Sequence, residues 1–199
     1  KKFRQCLYCV GFLLKSASPQ KYTFILIQRS FCVRETQGGL SFYARRRSER
    51  TRYAMNSFLS WVGGKKALRD AIVCRLHRGC DRYVEVFGGG GWVLFYKPPG
   101  KFEVYNDFNS NLANLYRCVR EHPAELCREL TFVLNSREDF AYIRQLLHTK
   151  AVLPDIRRAA YFYQIIRQSY ASGLDSFGAQ PHSMWKNFPA IYEAAGRLQ

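Results

Sequence analysis

The sequence predicts an α/β fold, and three observations carry that reading. Apolar residues alternate between helical and extended spacing from residue 65 to residue 121. A short apolar strand runs directly into four consecutive glycines, Gly88 to Gly91. The chain has 199 residues, 47% hydrophobic and 16% aromatic, which suffices to bury a core and to build one α/β domain with part of a second.

Taken in order, residues 65–78 (KKALRDAIVCRLHR) put Leu68, Ile72 and Leu76 on one face and predict an amphipathic helix. Residues 83–87 (YVEVF) predict a buried strand closed by the glycines. Trp92 to Tyr96 begins a helix or turn that Pro98-Pro99-Gly100 ends. Residues 102–105 (FEVY) predict a second strand, followed by Asn106-Asp107 and a helix over 109–121 with Leu112, Leu115, Tyr116 and Val119 on one face. Strand, glycine loop, helix, strand, helix is a βαβα unit. Residues 123–150 read as helical with a capping-box-like start at Ser136-Arg-Glu-Asp139, and 155–170 as a helix carrying Tyr161, Phe162 and Tyr163. Ser169 to Pro189, rich in Gly, Ser, Pro and aromatics without periodicity, reads as a long surface loop of the kind that holds recognition residues.

The formal charge of +16 favours polyanionic partners. It is unevenly spread: residues 1–54 hold 12 Lys/Arg against two acids, leaving 19 against 13 for residues 55–199. The part that reads as a folded domain is therefore only moderately basic. Seven cysteines in no regular framework argue against a disulfide-stapled secreted fold and for a reducing, cytoplasmic setting. Cys6 and Cys9 have zinc-ligand spacing, but no second pair follows, so no metal is expected. The opening KKFRQCLYCVGFLL imitates a signal peptide, yet RRRSERTR precedes the first Met at 55 and the periodic region starts just after it. Residues 1–54 are accordingly expected to be a leader or non-domain segment, poorly ordered. No run approaches the roughly 18 apolar residues of a membrane span, and no membrane partner is expected.

A strand that runs into Gly88 to Gly91 brings backbone amides and a helix N-terminus close to a ligand. Asp107 follows the next strand, 16 residues beyond Gly91, where doubly wound folds place an acid that accepts hydrogen bonds from ribose hydroxyls. A dinucleotide fingerprint would want a third glycine where the chain has Leu94, which disfavours NAD and FAD. Upstream, Trp61-Val-Gly-Gly-Lys65 offers a cation for a carboxylate and an aromatic face for a sulfonium or an adenine. On spacing alone a plain tight turn, and a buried anchoring Trp beside a solvated lysine, account for the same residues.

Together the segments Trp61-Val-Gly-Gly-Lys65, Val84-Glu-Val-Phe-Gly-Gly-Gly-Gly91 and Asp107-Phe-Asn109 resemble, in order and spacing, the Dam-like DNA adenine-N6 methyltransferases of bacteria and phages, over roughly residues 56–182. The resemblance implies a Rossmann-like S-adenosylmethionine-dependent methyltransferase fold with an incomplete sheet and a partial helical target-recognition region. It divides the chain at residue 150, with a cofactor-binding part over 55–150 and the start of the recognition region over 151–199. By the same resemblance Trp61 and Lys65 contact the cofactor, Lys65 near its carboxylate. Gly89 and Gly91 form the loop under the methionine moiety, Asp107 holds the ribose hydroxyls, and Glu85 orients the loop or the cofactor amino group. Val86 and Gly88 depart from the family pattern, which often has Pro and a small or branched residue there.

The family's Asp-Pro-Pro-Tyr catalytic motif does not occur among the 199 residues; Pro98-Pro99 lies between Lys97 and Gly100. The expectation is a truncated reading frame that ends at Gln199 within the recognition region and is inactive alone. The expected partner is double-stranded DNA, and the expected state a monomer. Arg157, Arg158, Arg167, Tyr170, Ser172 and Lys186 are the candidate phosphate or base-edge contacts. The alternatives are a methyltransferase acting on RNA or a small molecule, and a non-catalytic DNA- or nucleotide-binding module.

Overall fold

The structure is a computed structural model and describes residues 54–76, 82–149, 151–178 and 183–199. The leader-like segment with its Cys6/Cys9 pair lies outside the described residues. Helix α1 (Arg69–Arg75) leads to strand β1 (Arg82–Glu85), and helix α2 (Trp92–Tyr96) crosses to strand β2 (Phe102–Tyr105). Helices α3 (Ser110–Glu121), α4 (Pro123–Glu129), α5 (Arg137–His148) and α6 (Asp155–Gln168) follow. Two short 3-10 turns, Tyr170–Ser172 and Met184–Asn187, precede helix α7 (Phe188–Leu198). The result is a helix-rich α/β architecture with a small parallel sheet.

β1 and β2 pair in parallel, Arg82 opposite Phe102 and Glu85 opposite Tyr105. The ladder runs one step past the strands, with Asn106 N donating to Glu85 O at 2.8 Å and Gly88 N to Asn106 O at 2.9 Å. That step brings the glycine loop and the Asn106-Asp107 turn side by side at the carboxyl ends of the strands. β1 is shorter than the expected 83–87 run, because Val86 and Phe87 already belong to the turn that enters the glycines. α1 likewise covers only the middle of the expected 65–78 helix. A turn from Lys65, whose carbonyl accepts Leu68 N, occupies its first residues.

The expected helical stretch over 123–150 is two helices. α4 stops at the buried Leu130, and Leu134 turns its carbonyl to Gln168 Nε2 of α6 at 2.8 Å. Ser136 then caps α5 by accepting Asp139 N at 3.3 Å. α3 starts where Asn109 accepts the amides of Asn111 and Leu112, one residue inside the expected 109–121 helix. Of the region expected as one loop, Ser169 to Pro189, the described residues 169–178 and 183–189 are more ordered than its composition suggests. Ser169 bridges Phe177, Gly178 N reaches Gln168 O at 2.6 Å, and Phe188 and Pro189 already belong to α7.

One hydrophobic core joins Leu112, Leu115 and Val119 of α3 to Tyr163 and Ile166 of α6 and Ile191 of α7. Segments on both sides of residue 150 therefore share it. Phe58 fastens the pre-α1 segment to this core, edge-on to Phe95 at 5.9 Å and to Tyr116 at 5.3 Å. A satellite cluster of Ile72, Val73 and Val93 holds α1 against α2.

Candidate functional site

The glycine loop is held from both sides. Asp107 accepts Gly89 N through Oδ2 at 2.8 Å and Asn109 N through Oδ1 at 2.9 Å. The acid after β2 thus fixes both the loop after β1 and the start of α3. Gly91 adopts a left-handed φ of 62° as the residue before α2, and a Cβ there would stand 2.6 Å from the Tyr116 hydroxyl. A Cβ at Gly89, also left-handed at φ 52°, would stand 2.9 Å from Cδ1 of Trp61. The bare backbone is required by the aromatic side chains that close on it.

Three residues that the sequence motifs left out brace this loop. Tyr105 donates to Gly89 O at 2.7 Å and Tyr116 to the same carbonyl at 3.3 Å, with the two phenol rings stacked at 3.9 Å. Ser57 donates to Gly90 O. Burial drives both phenols far above the usual tyrosine range, so they remain neutral donors. The signal for Tyr105 lay in its place at the end of the strand that leads into Asn106-Asp107; Ser57 carried none.

Trp61, Gly64, Lys65, Glu85, Gly89 and Trp92 line a narrow cleft beside the loop. Glu85 Oε1 accepts the Tyr83 hydroxyl at 2.6 Å and Leu94 N at 3.0 Å, whereas Oε2 is buried with no hydrogen-bond partner. Burial pushes this carboxyl above the usual carboxylate range, against the opposing pull of the Tyr83 hydroxyl and the Lys65 charge. A buried acceptor without a donor, on the wall of the narrow cleft beside the glycines, is a place where a cationic or hydrogen-bonding group would be compensated. Phe108, directly after Asp107, is 96% exposed.

The six residues read as DNA contacts do not form one patch. Arg157 and Arg158 sit in the first turn of α6 and engage acids, Glu129 at 3.4 Å and Asp155 at 2.9 Å. Arg167 lies nine residues on, about 14 Å along the helix axis. There it lines a shallow cleft with Ser57, Trp61, Lys66 and Trp92, adjoining the glycine-loop cleft. Lys66, which the sequence reading did not single out, lies 5.4 Å from the centre of the Trp92 ring. Tyr170 is 74% exposed on the turn after α6, and Lys186 is exposed beside the equally exposed Trp185. In the Tyr170–Ser172 turn and just after it, Ala171, Ser172 and Leu174 have left-handed φ, at 50°, 58° and 68°. Such conformations cost non-glycine residues about 1–2 kcal/mol each and persist only where surroundings impose them.

The fold and the site together define an α/β domain whose parallel strands present a glycine loop and a carboxylate at their carboxyl ends. Residues 61–179, more than half of the chain, match the family model for D12 class N6 adenine-specific DNA methyltransferases. The chain belongs to that family. It is 28% identical over 148 residues to a type II methyltransferase, M1.LlaDCHI, of Lactococcus lactis subsp. cremoris, which covers 70% of this chain and 51% of that protein. It is 31% identical over 118 residues to a DNA adenine methylase of Serratia marcescens, covering 57% of this chain and 42% of the relative. Over 117 residues it is 28% identical to a DNA N-6-adenine-methyltransferase of Escherichia phage P1, covering 57% and 15% respectively. The chain spans about half the length of such relatives, or less.

Proposed function

We propose that the cleft between the glycine loop and Lys65 binds S-adenosylmethionine, and that the chain serves methylation of the N6 amino group of adenine in duplex DNA. The observation that carries this reading is the pairing of Asp107 with Gly89 N beside a buried, unpartnered Glu85 Oε2. The donor set fits the cofactor group by group. Glu85 Oε2 suits the ammonium of the methionine moiety and Lys65 its carboxylate. Asp107 oxygens, each with a lone pair left after the amides, suit the ribose diol. Phe108 offers its exposed ring to the adenine. The βαβ crossover of β1, α2 and β2 is what one half of a Rossmann-like sheet would supply.

When bound, the cofactor supplies an electrophilic methyl group. The residues of this chain bind and orient it: the glycine loop, its amides turned inward to Asn106, Asp107 and Gly88, forms the wall it rests on, and Lys65 and Glu85 set its direction. Stacked in a duplex, an adenine amino group cannot approach in line, so the base must leave the helix. Holding the reactants in near-attack geometry is worth on the order of 7–11 kcal/mol at best. The shallow cleft with Lys66, Arg167 and Trp92 adjoins the cofactor cleft and supplies cations and an aromatic face toward DNA. Tyr170, Ser172 and Lys186 extend that role along the ordered turns after α6, while Arg157 and Arg158 act on phosphates only by giving up their acidic partners.

Titration calorimetry of the full chain with S-adenosylmethionine tests the reading, with Lys65→Ala alongside. Saturable binding that the variant weakens at least tenfold is the expected result. A folded chain that gives no heat of binding, or equal affinity in both proteins, rejects it.

A further inference from the structure

Arg197, near the end of α7, is nine-tenths buried although it stands far from the three sequence motifs. Its guanidinium donates through Nη1 to Glu103 Oε2 at 2.7 Å and through Nη2 to Glu103 Oε1 at 3.1 Å, a bidentate grip on β2. Nη2 also donates to Leu94 O at 2.9 Å, in the middle of α2. From these contacts two chains of interaction lead to the same carboxylate. The first is one residue long: the amide of Leu94, whose carbonyl Arg197 holds, donates to Glu85 Oε1 at 3.0 Å. The second passes through the ion pair of Glu103 with the buried Lys97. The Lys97 ammonium lies 4.2 Å from the centre of the Tyr83 ring, and the Tyr83 hydroxyl donates to Glu85 Oε1 at 2.6 Å.

Of the two donors that hold Glu85 Oε1, Leu94 is thus held by Arg197 itself and Tyr83 by Lys97, which pairs with the same Glu103 that Arg197 grips. With Oε1 fixed, the orientation of the carboxyl plane, and so the direction of the unpartnered Oε2, is fixed as well. We propose that Arg197 is a positioning residue: it acts through Leu94 and through Glu103, Lys97 and Tyr83 to aim Glu85 Oε2 into the glycine-loop cleft. There Oε2 receives the amino group of the ligand. Affinity at the cleft therefore depends on the last helix of the chain, which shares its core with α3 and α4 through Ile191 and Ala194. The inference rests on the cofactor reading of the cleft, and the following test separates the two.

Two ligands are titrated into the full chain, S-adenosylmethionine and 5′-methylthioadenosine, which shares the nucleoside but lacks the amino-acid moiety. Arg197→Met keeps the apolar stem and deletes the donors; Arg197→Lys keeps a charge that cannot serve Glu103 and Leu94 together. Both variants are expected to bind S-adenosylmethionine about tenfold more weakly than wild type and 5′-methylthioadenosine equally well. In a Glu85→Gln background Arg197→Lys is expected to add no further loss, since its target is gone. Equal weakening of both ligands, or of neither, overturns the positioning role and leaves Arg197 as a structural tie. The Arg197→Lys variant, with its charge retained, decides the matter if Arg197→Met does not fold. Wild-type protein that ignores S-adenosylmethionine rejects the cofactor reading itself, and the inference with it.

Discussion

Asp107 and Gly89 are 18 residues apart, yet the Asp107 carboxylate accepts the Gly89 amide at 2.8 Å and so locks the loop after the first strand to the turn after the second. The acid is a structural pin that holds Gly89 N through one oxygen and Asn109 N through the other. The carboxyl ends of two parallel strands become one surface through this bond, and the glycine loop keeps its shape because of it.

Gly91 is a loop position that combines a left-handed backbone with a crowded Cβ site. Alanine there pays about 1–2 kcal/mol for a left-handed backbone and roughly 1–3 more for crowding the Tyr116 hydroxyl, 2.6 Å from the new Cβ. Gly91→Ala is expected to lower unfolding stability in urea by about 3 kcal/mol. Gly196→Ala is the control: its Cβ meets nothing within 4 Å in α7, and it is expected to stabilise by roughly 0.5–1 kcal/mol.

Glu85 holds a buried carboxyl oxygen without a partner, at the expense of stability. Burial raises its carboxyl above the unfolded value, so the unfolded chain ionises first as pH rises, and stability falls between the unfolded and the folded pKa. Glu85→Gln keeps an Oε1 acceptor for Tyr83 and Leu94 and removes the buried charge. The variant is expected to show a higher urea midpoint than wild type at pH 7, and the difference is expected to vanish below pH 4, where both forms are neutral. Binding of S-adenosylmethionine is expected to weaken in the same variant, measured by calorimetry.

Glu103 works in the opposite direction. Its carboxylate takes Arg197, Lys97 and the Gly100 amide, and these bonds hold its carboxyl below the usual range in spite of the burial that would raise it. The stability it confers is present above the unfolded pKa and is lost as pH falls through the folded one. Glu103→Gln leaves two buried cations without their counter-ion and is expected to cost about 3–5 kcal/mol in urea denaturation at pH 7.

Much of this site was legible in the sequence, for identifiable reasons. The second strand, its Asn109-capped helix and the buried face of Leu112, Leu115 and Val119 follow from local periodicity and capping, and the structure repeats them. Asp107 was legible because its place after a strand is a matter of spacing. What local pattern did not carry is long-range. The break at 130–136 depends on Gln168 capturing Leu134 O, 34 residues away. The separation of Arg157 and Arg158 from Arg167 follows from helix geometry and from Glu129 and Asp155. The contacts that define Arg197 span 94 and 103 residues and leave no trace in its neighbourhood. The order of 169–178 rests on backbone bonds such as Tyr170 N to Ser176 O, which composition alone does not reveal.

The most direct test of the cofactor site is the affinity of Asp107→Ala for S-adenosylmethionine against that of the wild-type chain, with both proteins checked for folding by circular dichroism. Loss of the Gly89 pin and of the ribose acceptor together is expected to abolish measurable binding in a variant that stays folded. A folded Asp107→Ala protein that binds S-adenosylmethionine as tightly as wild type would contradict the assignment of the glycine loop and Asp107 as the cofactor site.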